Sequence, residues 1–151
     1  MTEIKRTTFR EVADHPDFGD LVAEYAEESA MTGLPAPDCQ IDMYEKLQDA
    51  GAIHVLGAFR QMRLVGLLIV VASVIPHYGV MMATTESFFV RPQDRKGGAG
   101  LQLLKEAETL SAELGALGLL VSAPLGGRLA EVLPKKGYAE TNRVFFRSLA
   151  A

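Results

Sequence analysis

The sequence predicts an α/β fold of the α+β kind, built on a mixed and mostly antiparallel sheet, and three observations carry that prediction. Three extended runs follow one another between residues 52 and 91 with no helix between them, so they must pair largely antiparallel. A strong helical segment then separates "ESFFV" from "GLLVS", and such a crossover implies one parallel pair. Helical segments also precede the three runs, which gives the order β-α-α-β-β-β-α-β-α-β. A length of 151 residues and a hydrophobic fraction of 48% suffice for one core, so residues 1–151 are expected to form a single domain.

"EIKRTTFREV" carries β-prone residues, and Asp14 with Pro16 reads as a helix entry. "FGDLVAEYAEESAM" sets Leu21, Val22, Tyr25 and Met31 at helical spacing on an acidic amphipathic helix. "GLPAPDCQ" is a loop, and "DMYEKLQDAG" is a short helix stopped by Gly51. "AIHVLGAFRQMRLVGLLIVVASVI" is a hairpin turning at "RQMR", its second arm apolar on both faces as a central strand requires. "GVMMATTESFFVRP" is a strand closed by Pro92. Leu103, Ala107, Leu110 and Leu114 then mark one face of a helix that Gly115 terminates. "LGLLVSAP" reads as a short buried strand, "GGRLAEVLPKKGY" as a helix broken at Pro134, and "NRVFFRSL" as a final alternating strand.

Charge and composition exclude several function classes. The net charge of -4 hides a split: residues 1–51 hold four Lys or Arg against twelve Asp or Glu, and residues 52–151 hold eleven against seven. Solvated surface accounts for such a split, and so would a basic region holding a polyanion beside an acidic one receiving a cation. The basic residues form no run with interleaved aromatics, which speaks against nucleic acid. The apolar run Leu64–Ile75 falls short of the roughly 18–20 residues of a spanning helix, and the N-terminal residues lack an apolar signal core; a cytoplasmic protein without membrane association is expected. Cys39 is the single cysteine, and His15, His54 and His77 show no ligand spacing, so no metal site is expected.

The segment "VRPQDRKGGAGLQLLKEAETL", residues 90–110, opens a helix with three glycines. Unpaired N–H groups and the dipole make a helix start an anion site, and glycines let an anion approach those amides closely. The lysine precedes the glycines and Leu101 comes after them, which does not fit a P-loop, and the long "RPQDRK" spacer does not fit a dinucleotide fold. Arg95-Lys96-Gly97-Gly98-Ala99-Gly100 matches Arg/Gln-x-x-Gly-x-Gly/Ala. With the preceding "ESFFVRPQD", the element order and the "KKGY" segment before the last strand, it resembles the acetyl-CoA-binding motif of the GNAT N-acetyltransferases.

The resemblance implies a twisted sheet whose parallel pair splays at the cofactor strand, with helices on both faces. It implies acetyl-CoA as cofactor, its pyrophosphate on the amides of Arg95, Lys96, Gly97, Gly98, Ala99 and Gly100, and its pantetheine arm along a bulged strand near Phe88, Phe89 and Val90. It implies a primary amine of a small molecule, peptide or protein as acceptor, and it allows a homodimer to which the "FFRSLAA" tail would contribute. Glu86 takes the position of a catalytic glutamate, with Met82 and Phe88 as apolar surroundings able to lift its pKa. The acidic helix with Glu24, Glu27 and Glu28, then Asp38 and Asp42, falls where the family shapes its acceptor site. For the acid, Leu133 occupies the usual tyrosine position, and Gly126 and Gly127 stand where an asparagine is common. Tyr138, in an aromatic slot where packing is the commoner role, and Ser122, at the end of the strand facing the cofactor, are the remaining candidates. Those departures leave open a catalytically silent CoA-binding or regulatory module.

Overall fold

The computed structural model describes residues 1–150. Its sheet runs in the order β1 (Glu3–Thr7), β2 (Ile53–Arg60), β3 (Arg63–Ile75), β4 (Val80–Val90) and β5 (Leu119–Leu120). Every neighbouring pair is antiparallel except β4 with β5, which is parallel. The β2–β3 hairpin turns on Gln61 and Met62 alone, at φ 50° and 65°. Two left-handed residues give a two-residue turn a twist that matches the strands, at some backbone strain because neither is Gly or Asn.

β3 is buried on both faces, and its alternation divides the core. Leu68 and Val70 pack with Leu103, Ala107 and Leu110 of α4 (Ala99–Glu113). Leu67 and Ile69 pack on the opposite face with Phe9 and Val12 of α1 (Phe9–Ala13) and Leu21 of α2 (Phe18–Ser29). Thr8 caps α1 by accepting the Glu11 N–H. The chain breaks between α1 and α2 around Pro16, where Asp17 accepts the Leu64 amide and pins the break to β3. Cys39, Ile41 and Tyr44 close that face, the last two on α3 (Ile41–Asp49). After β5 come α5 (Arg128–Val132) and a 3-10 turn at Leu133–Lys136 that carries Pro134 and ends on left-handed Gly137.

The end of the chain departs from the sequence reading. Residues 142–149 form no strand: Val144 and Phe145 are 90% and 89% exposed, and Ser148 Oγ donates to the Gly33 carbonyl in the α2–α3 loop. Alternation marks a segment able to join a sheet, yet a strand needs an edge to pair with, and the tail meets a loop instead. β5 is accordingly an edge strand of two residues with Leu120 exposed, rather than the buried strand expected.

Candidate active site

The centre of the site is one extra residue in β4. Ile69 faces Ser87 and Val70 faces Thr85, so Glu86 has no partner on β3 and forms a β-bulge. The bulge resets the alternation, and Glu86 and Ser87 both line a cavity of about 240 Å³ on the α1–α3 side. Tyr44 Oη donates to Glu86 Oε1 at 2.7 Å, and Ser87 Oγ donates to Oε2 at 2.6 Å. Tyr44 is itself held by stacking on Phe9, centroids 4.4 Å apart and 12° between planes. Burial first, then the hydrogen bond to Glu86 and its charge, push the Tyr44 phenol up, so it remains a donor. Burial and the charges of Glu86 and Asp38 likewise push the half-buried Cys39 thiol up, away from thiolate nucleophilicity. Phe88, expected beside Glu86, packs instead against the α4-side core. The exposed Glu86 is thus held by two hydroxyl donors rather than by an apolar shell.

Beyond Glu86 lies the glycine loop, a 3-10 helix at Pro92–Gly97 leading into α4. Asp94, 5% exposed, receives Arg60 at 3.2 Å and Arg63 at 3.4 Å, which ties the loop to the β2–β3 hairpin. Each glycine has its own reason. A Cβ on Gly97 would sit 2.0 Å from Arg60 Nη2, Gly98 adopts φ +77° at the start of α4, and a Cβ on Gly100 would meet only Val90 and Phe88 at ordinary contact distance. No side chain caps α4, so its first amides are left without a partner from the helix.

The two arginines flanking the loop turn toward α2. Arg91, buried, donates to both carboxylate oxygens of Glu24 at 2.9 and 3.0 Å. Arg95 Nη2 donates to Glu28 at 2.7 Å, its Nε donates to the Val90 carbonyl at 2.8 Å, and its guanidinium lies over the Phe89 ring. Glu24 and Glu28 therefore serve as partners of the loop arginines, whereas the sequence suggests acids facing an acceptor. Lys96 is exposed beside the glycines.

β4 and β5 pair only at Ala83 with Leu119 and Thr84 with Leu120, and from Thr85 onward β4 has no β5 neighbour. Across the opening, the exposed Ser122 donates its amide to Thr85 Oγ1 at 3.2 Å. Tyr138 Oη donates to Glu108 of α4 at 2.6 Å, and burial followed by that bond pushes its phenol up. Leu133 is buried. Glu86 and the loop strand Phe88–Val90 thus share one strand, while Tyr138 belongs to a different set of neighbours. Tyr44, Ser87 and Phe9 carry no signal in the sequence, because a contact spanning 42 residues, such as Tyr44 with Glu86, leaves no local pattern. Among the described residues no three His, Cys, Asp or Glu gather as a metal site, and no helix is long and apolar enough to cross a membrane.

No family model matches the sequence, and no curated protein matches it. Solved structures do. A ribosomal-protein-alanine N-acetyltransferase from Brucella melitensis biovar Abortus 2308 superposes with TM-score 0.70 at 20% identity, covering 96% of this chain and 97% of that one. An aminoglycoside acetyltransferase from an uncultured soil metagenomic sample gives TM-score 0.75 at 18% identity over 100% and 99%. A transcriptional regulator from Bacillus halodurans C-125 gives 0.76 at 16% identity over 97% and 99%. The mixed sheet with its one parallel pair, flanked by helices, is the fold of the GNAT acetyltransferases. Identities this low define architecture and leave chemistry to the residues themselves.

Proposed function

We propose that residues 1–151 act as one cytoplasmic acetyl-CoA-dependent N-acetyltransferase domain, transferring an acetyl group to a primary amine of a small molecule or peptide by direct attack, with Glu86 as general base. The observation that carries this reading is the bulge: it sets a carboxylate into a cavity at the point where β4 parts from β5. The chain fits the cofactor on its own geometry. Uncapped amides at Gly98–Leu101, with Lys96 beside them, suit a diphosphate, and the stretch Phe88–Val90, paired with β3 along one edge and without a β5 neighbour along the other, offers backbone groups on that second edge to an amide-bearing arm. Bound acetyl-CoA would supply an activated acyl thioester. Glu86 takes a proton from the entering ammonium, leaving a nucleophilic amine, and Tyr44 and Ser87 hold the carboxylate in the orientation that receives it. Arg95 braces the loop through Glu28 rather than reaching for phosphate, so the amides carry that contact.

Calorimetry with CoA and a thiol-release assay test the reading together. Glu86→Gln is expected to keep CoA affinity and lose about 100-fold or more in kcat, whereas Gly98→Trp loses CoA binding; CoA heat unchanged in Gly98→Trp refutes the loop assignment. A catalytically silent CoA-binding module is the second reading, favoured by the buried Leu133 at the usual tyrosine position and by Tyr138 being engaged with Glu108. It predicts CoA heat without turnover for any amine. The exposed tail around Phe145 and Phe146 and the open β5 edge occur in every copy, which supports a homodimer by reciprocal strand addition. Light scattering on the intact chain and on Phe145→Asp decides that point.

A further inference from the structure

We infer that Thr85 is a positioning residue for the cofactor: its hydroxyl takes the Ser122 amide out of the β4–β5 ladder, draws the chain after β5 toward the α4 face, and so keeps the adjoining edge of β4 open for the acyl-carrying arm. This rests on the acetyltransferase reading above. The register shows where the ladder stops. Ala83 pairs with Leu119 and Thr84 with Leu120, and the Ala83 amide donates to the Gly118 carbonyl at 3.0 Å. Continued at the same offset, a parallel ladder directs the Ser122 amide at the Thr85 main-chain carbonyl. That amide donates instead to Thr85 Oγ1, at 3.2 Å. The switch from a main-chain to a side-chain acceptor falls one residue before the Glu86 bulge, so the edge opens where the carboxylate sits.

The side chain is placed for that task. Thr85 stands opposite Val70 and two residues from Ala83, and both of those belong to the α4-side core, so strand alternation points Thr85 to the same face. A hydrogen bond to a group on that face pulls the partner chain out of the plane of the sheet, whereas a bond to the carbonyl would hold it in the plane and close the edge. Thr85 is 6% exposed, and a β-branched side chain has few χ1 rotamers, so its hydroxyl is fixed in direction. Ser122, a candidate acid by its place in the sequence, enters this contact through its main chain. Beyond Thr85, β4 keeps β3 along one edge and has no β5 neighbour along the other.

The test pairs Thr85→Val, which lacks the acceptor, with Thr85→Ser, which keeps it. Two quantities are read on the intact chain: hydrogen exchange at the Ser122 amide in the ligand-free protein, and the calorimetric Kd for CoA. Thr85→Val is expected to speed that exchange and to weaken CoA, each by about tenfold, while Thr85→Ser stays within about twofold of the wild type in both. The affinity for ADP, which has the diphosphate and no arm, should hold in both variants, although a general loosening of the fold would move it. Exchange at the unprotected rate in the wild type overturns the inference whether or not either variant folds. So does a Thr85→Val protein that exchanges faster at Ser122 yet binds CoA as the wild type does, and so do equal losses of CoA and ADP affinity. Absence of CoA heat in the wild type defeats the acetyltransferase reading instead. Protection at Ser122 that is present in the wild type and lost in Thr85→Val then still supports the deflection by Thr85, and unchanged protection overturns it.

Discussion

The glycine loop and the Glu86 cavity adjoin along the chain, one just past the end of β4 and the other at its bulge, yet they are built in opposite ways. The loop is local: residues 91–101 supply its amides and glycines, and the rest of the fold only braces it through Asp94, Arg91 and Arg95. The cavity is assembled from α1, α2, α3, β3 and β4, with Phe9 and Ser87 at its sequence extremes. A backbone site tolerates side-chain change wherever the φ angle and the space allow, while an assembled side-chain site loses function with single atoms. Substitutions that separate those two behaviours probe the comparison directly.

The largest effect is expected at the brace the two regions share. Arg91 is 8% exposed and Glu24 28%, and removing one partner of such a pair leaves a buried guanidinium with Asp20, 4.0 Å away, as its remaining carboxylate partner. Glu24→Ala should therefore lower unfolding stability by about 3 kcal/mol, measured by denaturant titration. The pair also sets an acid limit. Hydrogen bonding from Arg91 holds the Glu24 carboxyl below the 4.5 of an unperturbed glutamate. A depressed folded-state value means that the contribution is fully present above about pH 4.5 and disappears as pH falls through and below that value. Stability measured from pH 6 down to pH 3 should drop more steeply for the wild type than for Glu24→Gln; parallel curves would assign the acid sensitivity elsewhere.

Next in size is a single oxygen atom in the cavity. Tyr44→Phe keeps the ring stacked on Phe9 and removes the donor to Glu86. A fall of about tenfold in kcat is expected, near 1.4 kcal/mol in the barrier, with the CoA Kd unchanged. A kcat left at the wild-type level would assign Tyr44 a purely structural role.

The same contrast explains which features are legible in the sequence. Hydrophobic periodicity locates β3, β4 and α4, because a strand buried on both faces and a helix with one apolar stripe each write their surroundings into consecutive residues. The glycine motif is legible because its pattern is contained within six consecutive residues. Tyr44 and Ser87 are not, since their roles depend on a one-residue bulge that no periodicity announces. The pairing of Glu24 and Glu28 with Arg91 and Arg95 is equally hidden: i,i+4 acids on a helix and i,i+4 arginines in a loop each look like solvated surface until the fold sets them face to face. The tail from Asn142 to Leu149 has strand character without an edge to join, and alternation alone says nothing about where the partner is.

The smallest effect distinguishes the glycines from one another. Gly100 lies in the first turn of α4 outside the left-handed region, and an added Cβ would meet Val90 Cγ2 at 3.7 Å and Phe88 Cζ at 4.0 Å. Gly100→Ala should stabilise the protein by about 0.5–1 kcal/mol, because alanine has less backbone freedom to lose on folding. Gly98→Ala should destabilise by about 1–2 kcal/mol, because φ +77° is strained for any residue with a side chain. If amides rather than empty volume define the phosphate site, Gly100→Ala should also bind CoA as the wild type does. A loss of CoA affinity in this more stable variant would mean that the loop works as a space for the ligand, and that it too depends on side-chain atoms in the way the cavity does.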